Sequence, residues 1–254
     1  MSRDSVYTAL ILGNRSLKFA SASQEFNREV SLLTAEAGIL RVTVFGGPKS
    51  KLRSYASPFH SGQAWIYHEP VRDSRKLSDF DVKEWRPGLR ELYERIMAAE
   101  AVAETVLASH GGGGHWEKAL FLAETALNAL TSADSVMCNR ILLHFMWQWA
   151  EFLGLKPEFH SCSHCAKEIP SDKMLWYLPG EGGLVCNACR NMEKQNRILE
   201  VGPGCRHWLE TVLPLSPSLL SRYTLDKKSF DEAKILAAAI LAEMLGKKLN
   251  SWEW

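Results

Sequence analysis

Six cysteines lie in this chain, and four of them are spaced for metal chemistry. Cys162-Ser-His-Cys165 and Cys186-Asn-Ala-Cys189 are two CxxC pairs with twenty residues between them. A CxxC turn aims two thiolates at one point, and two such turns complete a tetrahedron, so the spacing suits a four-cysteine zinc site. Four thiolates close the coordination shell. The ion expected here, one Zn2+, therefore builds the fold and carries out no chemistry. A catalytic zinc would keep an open position, and a thioredoxin-type redox pair would sit beside a βαβ unit that this sequence does not display. His160 and His164 are close enough to substitute for a cysteine ligand. Cys138 and Cys205 fall outside the pattern and read as buried apolar residues.

Energetics supports the same reading. The stretch from about Glu158 to Arg190 has few large apolar residues beyond Met174, Leu175, Trp176 and Tyr177. Fixing each backbone residue costs about 1–2 kcal/mol, which so small a core would struggle to offset. A structural zinc contributes on the order of 10 kcal/mol or more. Gly180, Gly182 and Gly183 give the chain freedom to turn just before the second pair.

Signatures of catalysis are sparse. Gly46-Gly47-Pro48-Lys49-Ser50 ends like a phosphate loop but lacks the first glycine at the required spacing and carries a proline. There is no GxSxG, HExxH or GxGxxG, and the histidines are scattered. A zinc-ribbon enzyme acting on DNA or nucleotide would need an acidic or histidine cluster that the spacing does not assemble. This balance favours a binding protein.

Charge is unevenly spread. The net charge is only +1, yet residues 1–76 hold eleven Lys and Arg against six Asp and Glu, and the remainder is mildly acidic. Residues 41–76 hold seven basic residues against Glu69 and Asp73, interleaved with Phe45, Tyr55, Phe59, Trp65 and Tyr67. Basic side chains neutralise phosphates and aromatics stack on bases, which is how small barrels hold single strands without reading sequence. Phe45 and Trp65 could equally belong to a core. Arg41, Lys49, Lys51 and Arg53 are the favoured phosphate contacts, the last three in a turn-like segment, with Arg15 and Arg28 as lesser candidates.

The elements that must position these groups change character along the chain. Up to about Tyr67 the pattern is short strands: Tyr7–Leu12 ending at the turn pair Gly13-Asn14, Val30–Leu33 and Ile39–Phe45 around Gly38, and Ala64–Tyr67 before Pro70. Glu25–Leu33 could instead be helical. Such strands suit a small barrel or short sandwich. After Pro87 the apolar residues recur at helical spacing. One stripe runs from Leu89 to Ala99, and a second from Trp116 to Leu130 beyond a Gly111–Gly114 linker. A third spans Ser135–Leu153, with Asp134 as N-cap and Gly154 as the stop. Its aromatics Phe145, Trp147, Trp149 and Phe152 read as core. The last helix carries a capping-box pattern at Ser229 and Glu232 and ends at Gly246. With 46% hydrophobic and 23% charged residues, the composition is that of a globular chain. The short apolar run at the N-terminus is not a secretory signal and no stretch is long enough to span a membrane, so a cytoplasmic protein is expected.

At this point the chain resembles the bacterial RecO family of recombination mediators. The resemblance rests on Leu32-Leu33-Thr34-Ala35-Glu36-Ala37-Gly38 with Gly46-Gly47-Pro48-Lys49-Ser50-Lys51-Leu52 and Pro58-Phe59. It continues in Phe152-Leu153-Gly154-Leu155-Lys156-Pro157 leading into the two CxxC pairs, and in Leu245-Gly246-Lys247-Lys248-Leu249-Asn250-Ser251. It implies an α+β multidomain protein. An N-terminal OB-fold, a small β-barrel, would occupy residues 1–80. A C-terminal α-helical domain would occupy 81–254, with a four-cysteine zinc knuckle inserted at about 158–192. It also implies a non-enzymatic, nucleoid-associated DNA-repair role: binding single- and double-stranded DNA, annealing complementary strands, and helping to load RecA together with RecR. The acidic tail of single-stranded-DNA-binding protein would be a further partner. Lys247 and Lys248, at a helix end, are candidates for attracting such a tail. A rival expectation is a zinc-containing adaptor whose helical domain does only that.

Overall fold

The computed structural model describes residues 4–16, 27–47, 49–190 and 198–252. They fall into two compact units, Met1–Ser132 and Ala133–Trp254.

The first unit is built on five strands: β1 (Asp4–Ser16), β2 (Arg28–Thr34), β3 (Gly38–Val44), β4 (Ser61–Glu69) and β5 (Ser74–Glu84). They close into a barrel in the order β1-β2-β3-β5-β4. All pairings are antiparallel except β3 with β5, which meet in parallel at Thr43 and Lys76. This is the architecture of an OB-type barrel. Alternate residues point inward, so Ile11, Val30, Leu32, Val42, Val44, Ala64, Ile66, Leu77 and Phe80 form the core. A short helix, α1 (Lys51–Tyr55), lies between β3 and β4, and its Leu52 and Tyr55 pack on that core.

Leu10, Leu12 and Leu33 are buried as well, although they point to the other face of their strands. That face is covered by α2 (Tyr93–Ala108) and α3 (Trp116–Leu130), which pack on β1 and β2. Burial on both faces explains the unbroken apolar runs of these strands. Gly38 opens β3 with φ +68°, and a Cβ there would lie 2.7 Å from the Trp116 indole nitrogen. The compact unit thus extends past the barrel through both helices.

The turn expected at Gly13-Asn14 is instead a register shift inside β1, and the strand continues to pair with β2 as far as Ser16. Glycine tolerates the local distortion of such a bulge. Residues 28–34 are strand rather than helix; Glu25 and Phe26 lie outside the described residues. The segment expected as a turn around Lys51 and Arg53 is helical.

The second unit is helical with a small sheet. Its helices are α4 (Ser135–Phe152), α5 (Asn187–Arg190), α6 (Pro203–Val212) and α7 (Lys227–Leu245). Asp134 caps α4 by accepting from the Met137 N–H at 2.7 Å, and Gly154 follows with φ +74°. Phe145, Trp147 and Trp149 are core, and Trp147 Nε1 donates to the Ala233 carbonyl of α7 at 3.1 Å. Cys138 and Cys205 are buried. Helix α7 starts earlier than expected. Asp226 is its N-cap and accepts from the Ser229 N–H at 3.0 Å. Glu232, expected in a capping box, instead accepts from the Gly202 N–H at 2.8 Å. Between α4 and α6 an excursion carries strands β6 (Leu175–Leu178), β7 (Gly183–Val185) and β8 (Leu199–Val201), in the order β7-β6-β8. Among the described residues, no helix is long and apolar enough to cross a membrane.

Candidate metal centre and nucleic-acid interface

The four spaced cysteines converge. The Sγ atoms of Cys162, Cys165, Cys186 and Cys189 all lie within 4.8 Å of one another. A tetrahedral ion with metal–sulfur bonds of about 2.3 Å would hold its sulfurs about 3.8 Å apart. The Sγ atoms of Cys165 and Cys186 are separated by 3.9 Å. Two turns produce this arrangement. The first is closed by the Ala166 N–H donating to the Cys162 carbonyl at 2.8 Å, and the second by the Arg190 N–H donating to the Cys186 carbonyl at 2.9 Å. They are docked by the Ser163 N–H on the Leu184 carbonyl at 2.9 Å. Gly183 allows that approach, because a Cβ there would meet the Ser163 hydroxyl at 2.5 Å.

Electrostatics around the sulfurs favours thiolate at Cys162 and opposes it at Cys189. Burial opposes ionisation of Cys162, but backbone N–H groups of Cys165, Cys186 and His164 outweigh it and bring this thiol down to about 6. The Cys186 N–H donates to its sulfur at 3.3 Å. Burial and the three neighbouring thiols push Cys189 up to about 12. Four sulfurs this close share negative charge poorly, and a divalent cation is the counter-charge that would let all four ionise. The two histidines turn elsewhere: His164 pairs with Glu181, and His160 Nε2 lies 3.4 Å from Glu210.

The excursion that carries the cysteines has more core than its sequence suggests, since Phe159, Ile169, Leu178, Leu184 and Val185 are also buried. A further support is Arg206 on α6. Only 1% exposed, it donates to the carbonyls of Phe159 (2.5 Å), Lys173 (2.8 Å), Pro170 (3.0 Å) and Ile169 (3.4 Å). No local pattern marks an arginine 33 to 47 residues from its partners. Residues 191 and 192, at the end of the expected knuckle, lie outside the described residues.

In the first unit the basic candidates separate into groups. Arg41 is exposed on the outer face of β3, opposite Ser31. Lys49 and Lys51 are exposed beside and on α1, and Arg53 is half-buried there; Pro48 lies outside the described residues. Arg28, at the start of β2, is half-buried, and its guanidinium pKa is lowered first by burial and then by the charge of Arg53. The two guanidiniums therefore lie within electrostatic reach of one another. Arg15 is exposed but pairs with Glu29 at 2.8 Å, which leaves its charge partly satisfied. The aromatics separate too. Phe59 is core, Trp65 and Tyr67 are half-buried on the outer face of β4, and Phe45 is 48% exposed with Lys76 Nζ 5.6 Å from its ring centroid.

Arg86 could not be read from the sequence. It is 3% exposed with φ +45°, donating to the Phe59 carbonyl at 2.7 Å, Ser61 Oγ at 2.9 Å and Asn128 Oδ1 at 2.6 Å. It fixes the entry to β4 against α3. In the second unit, Lys247 and Lys248 are both exposed just beyond Gly246, which closes α7 with φ +65°.

Comparison with known proteins gives a consistent answer. The family model described as Recombination protein O C terminal matches residues 90–253. A DNA repair protein RecO from Desulforamulus reducens is 24% identical over 248 residues, covering 97% of this chain and 91% of the relative. One from Pelotomaculum thermopropionicum is 26% identical over 230 residues, with 90% and 86% covered, and one from Heliobacterium modesticaldum is 27% identical over 228 residues, with 87% and 77% covered. A family match over more than half the chain, a closed N-terminal barrel and a cluster of four cysteines in a helical unit agree, and the chain belongs to the RecO family of DNA repair proteins.

Proposed function

We propose that this protein is a non-enzymatic recombination mediator. It binds single- and double-stranded DNA through residues 1–80, anneals complementary strands, and helps to load RecA onto coated single strands together with RecR. Family membership joined to the basic α1 side of the barrel carries this reading: Arg28 and Arg53 lie within electrostatic reach of one another, Lys51 opens α1 with Lys49 just before it, and Arg41 is on the outer face of β3. Arg15 contributes less because Glu29 competes for it. In the second unit, Lys247 and Lys248 are the proposed docking point for the acidic tail of single-stranded-DNA-binding protein, attracted by their charge at an exposed helix end. The ion of the cysteine cluster is zinc, because four sulfur donors converging within 4.8 Å of one another suit a borderline-soft cation without redox chemistry. Zinc there would lock the knuckle and leave no open coordination position.

The test is fluorescence anisotropy of a labelled single-stranded oligonucleotide at two salt concentrations, wild type beside Lys49→Glu/Lys51→Glu/Arg53→Glu. Binding should weaken with salt at a log–log slope of about 0.7 per neutralised phosphate. The triple variant should bind at least tenfold more weakly, with a shallower slope. Salt-independent binding, or a triple variant equal to wild type, would remove the barrel from the mechanism.

A further inference from the structure

Trp85 is a large aromatic side chain left 44% exposed where β5 leaves the barrel. Its position is built. Arg86, the next residue, turns inward in the left-handed region and is tied down by Phe59, Ser61 and Asn128, which directs its predecessor outward. Two neighbours then fix the indole. Tyr55 of α1 stands at 5.5 Å between ring centroids with an interplanar angle of 86°, and His60 at 4.9 Å and 63°. Neither lies flat against the indole. His60 is itself held, with Nδ1 2.9 Å from the Tyr55 carbonyl oxygen.

Positive charge lies on the elements that hold this ring. Lys51 and Tyr55 are one helical turn apart on α1 and so share a face. Arg53, two residues from each, points to the other side of the helix, towards Arg28. On the other side, Arg90 is exposed, donates to the Pro58 carbonyl at 3.0 Å and acts on His60. Glu84, directly before Trp85, is the opposing charge and acts on the buried Arg86. A fixed, half-exposed indole with an ammonium beside one of its ring neighbours and a guanidinium beside the other is a combination that can hold a nucleobase by stacking while its phosphates are neutralised.

We infer that Trp85 is the platform on which one base of a bound single strand stacks, with Lys51 and Arg90 taking the flanking phosphates. This rests on the DNA-binding reading above and names its first base-contacting residue. Stacking and phosphate neutralisation respond differently to salt, which separates this role from that of the cations.

The experiment titrates labelled oligothymidylate of about 15 nucleotides, and an abasic strand of the same length, with wild type, Trp85→Leu and Trp85→Phe. Leucine keeps apolar volume against Tyr55 and His60 but removes the π face; phenylalanine restores a face. Thermal denaturation of each variant confirms folding. Wild type should prefer oligothymidylate over the abasic strand. Trp85→Leu should lose about 5- to 100-fold in affinity for oligothymidylate, the worth of one stacked base. Its salt slope should be unchanged and its affinity for the abasic strand should stay within twofold. Trp85→Phe should recover most of the loss. If wild type binds but Trp85→Leu binds equally, or loses the same factor on both strands, the stacking role is wrong while the DNA-binding reading stands. If wild type binds neither strand, both fall together.

Discussion

Arg206 offers the sharpest test of how the cysteine-bearing excursion is held. The perturbation is Arg206→Met, which fills much of the same volume with apolar atoms and removes all five N–H donors. Four carbonyls lose their donor, but not equally. The Pro170 carbonyl also accepts from the Lys173 N–H at 3.1 Å, and the Ile169 bond is long at 3.4 Å, so these two count least. Phe159 at 2.5 Å and Lys173 at 2.8 Å are the strong contacts. Hydrogen bonds from a charged donor are worth about 1.5–3 kcal/mol each, and a buried acceptor left alone costs a similar amount. Two such bonds, not fully additive, give a loss of about 3–5 kcal/mol. For a unit the size of Ala133–Trp254 that is a fall in Tm on the order of 10–20 °C.

The assay is tryptophan fluorescence during urea and thermal unfolding, because six of the nine tryptophans lie in the second unit. Metal content should be measured on the same samples. Arg206→Lys serves as a control: a compact ammonium cannot span carbonyls from separate turns as the planar guanidinium fork does, so it should recover less than half of the loss. A change below about 1 kcal/mol for Arg206→Met, with the excursion still folded, would refute the reasoning that these carbonyls depend on it.

Two further outcomes concern the same unit. Elemental analysis should give about one zinc per chain, and Cys162→Ser/Cys186→Ser should lose both the metal and several kcal/mol of stability; full stability without metal would show that the cluster is not structural. The Asp226 carboxyl is held below its usual range by the Ser229 side chain and then by the Ser229 N–H. A depressed carboxyl stabilises the fold above its unfolded pKa near 4, and that contribution disappears as pH falls through the lower folded value. The gap in urea midpoint between wild type and Asp226→Ala should therefore be widest at about pH 6 and narrow below about pH 3; a gap that widens on acidification would overturn the cap assignment.

Much of this is legible in the sequence because it is local. The CxxC spacing announces itself within four residues, and Asp134 and Gly154 bracket α4 by short-range capping chemistry. The illegible parts are those where a distant partner decides. Strand β5 shows why. Its inward residues are Leu77, Phe80 and Val82, because a register shift opposite Trp65 and Ile66 inserts one extra residue and breaks the alternation by which a strand is recognised. The start of α7 misleads because Ser229 and Glu232 match a capping box, yet Asp226 outcompetes the serine and Gly202 claims the glutamate. Arg86 and Arg206 look like ordinary surface charges in sequence, and only the folded chain reveals the carbonyls they gather.

The two buried arginines also divide the work of the fold in a way that bears on function. A stretch of chain whose carbonyls end inside a protein without a strand or helix to satisfy them must find donors elsewhere. Around the cysteine cluster, backbone N–H groups already point at sulfur or at neighbouring carbonyls, so a metal would secure the two turns but leave Phe159 and Lys173 unserved. Arg206 supplies those from α6. In the barrel unit, Arg86 serves the Phe59 carbonyl in the same way, and because that contact fixes the residue after Trp85, it also sets the direction of the indole. A buried charge that satisfies backbone on one side therefore orients an exposed ring on the other. Loss of Arg86 would reach the proposed DNA surface through geometry, without that arginine touching the strand.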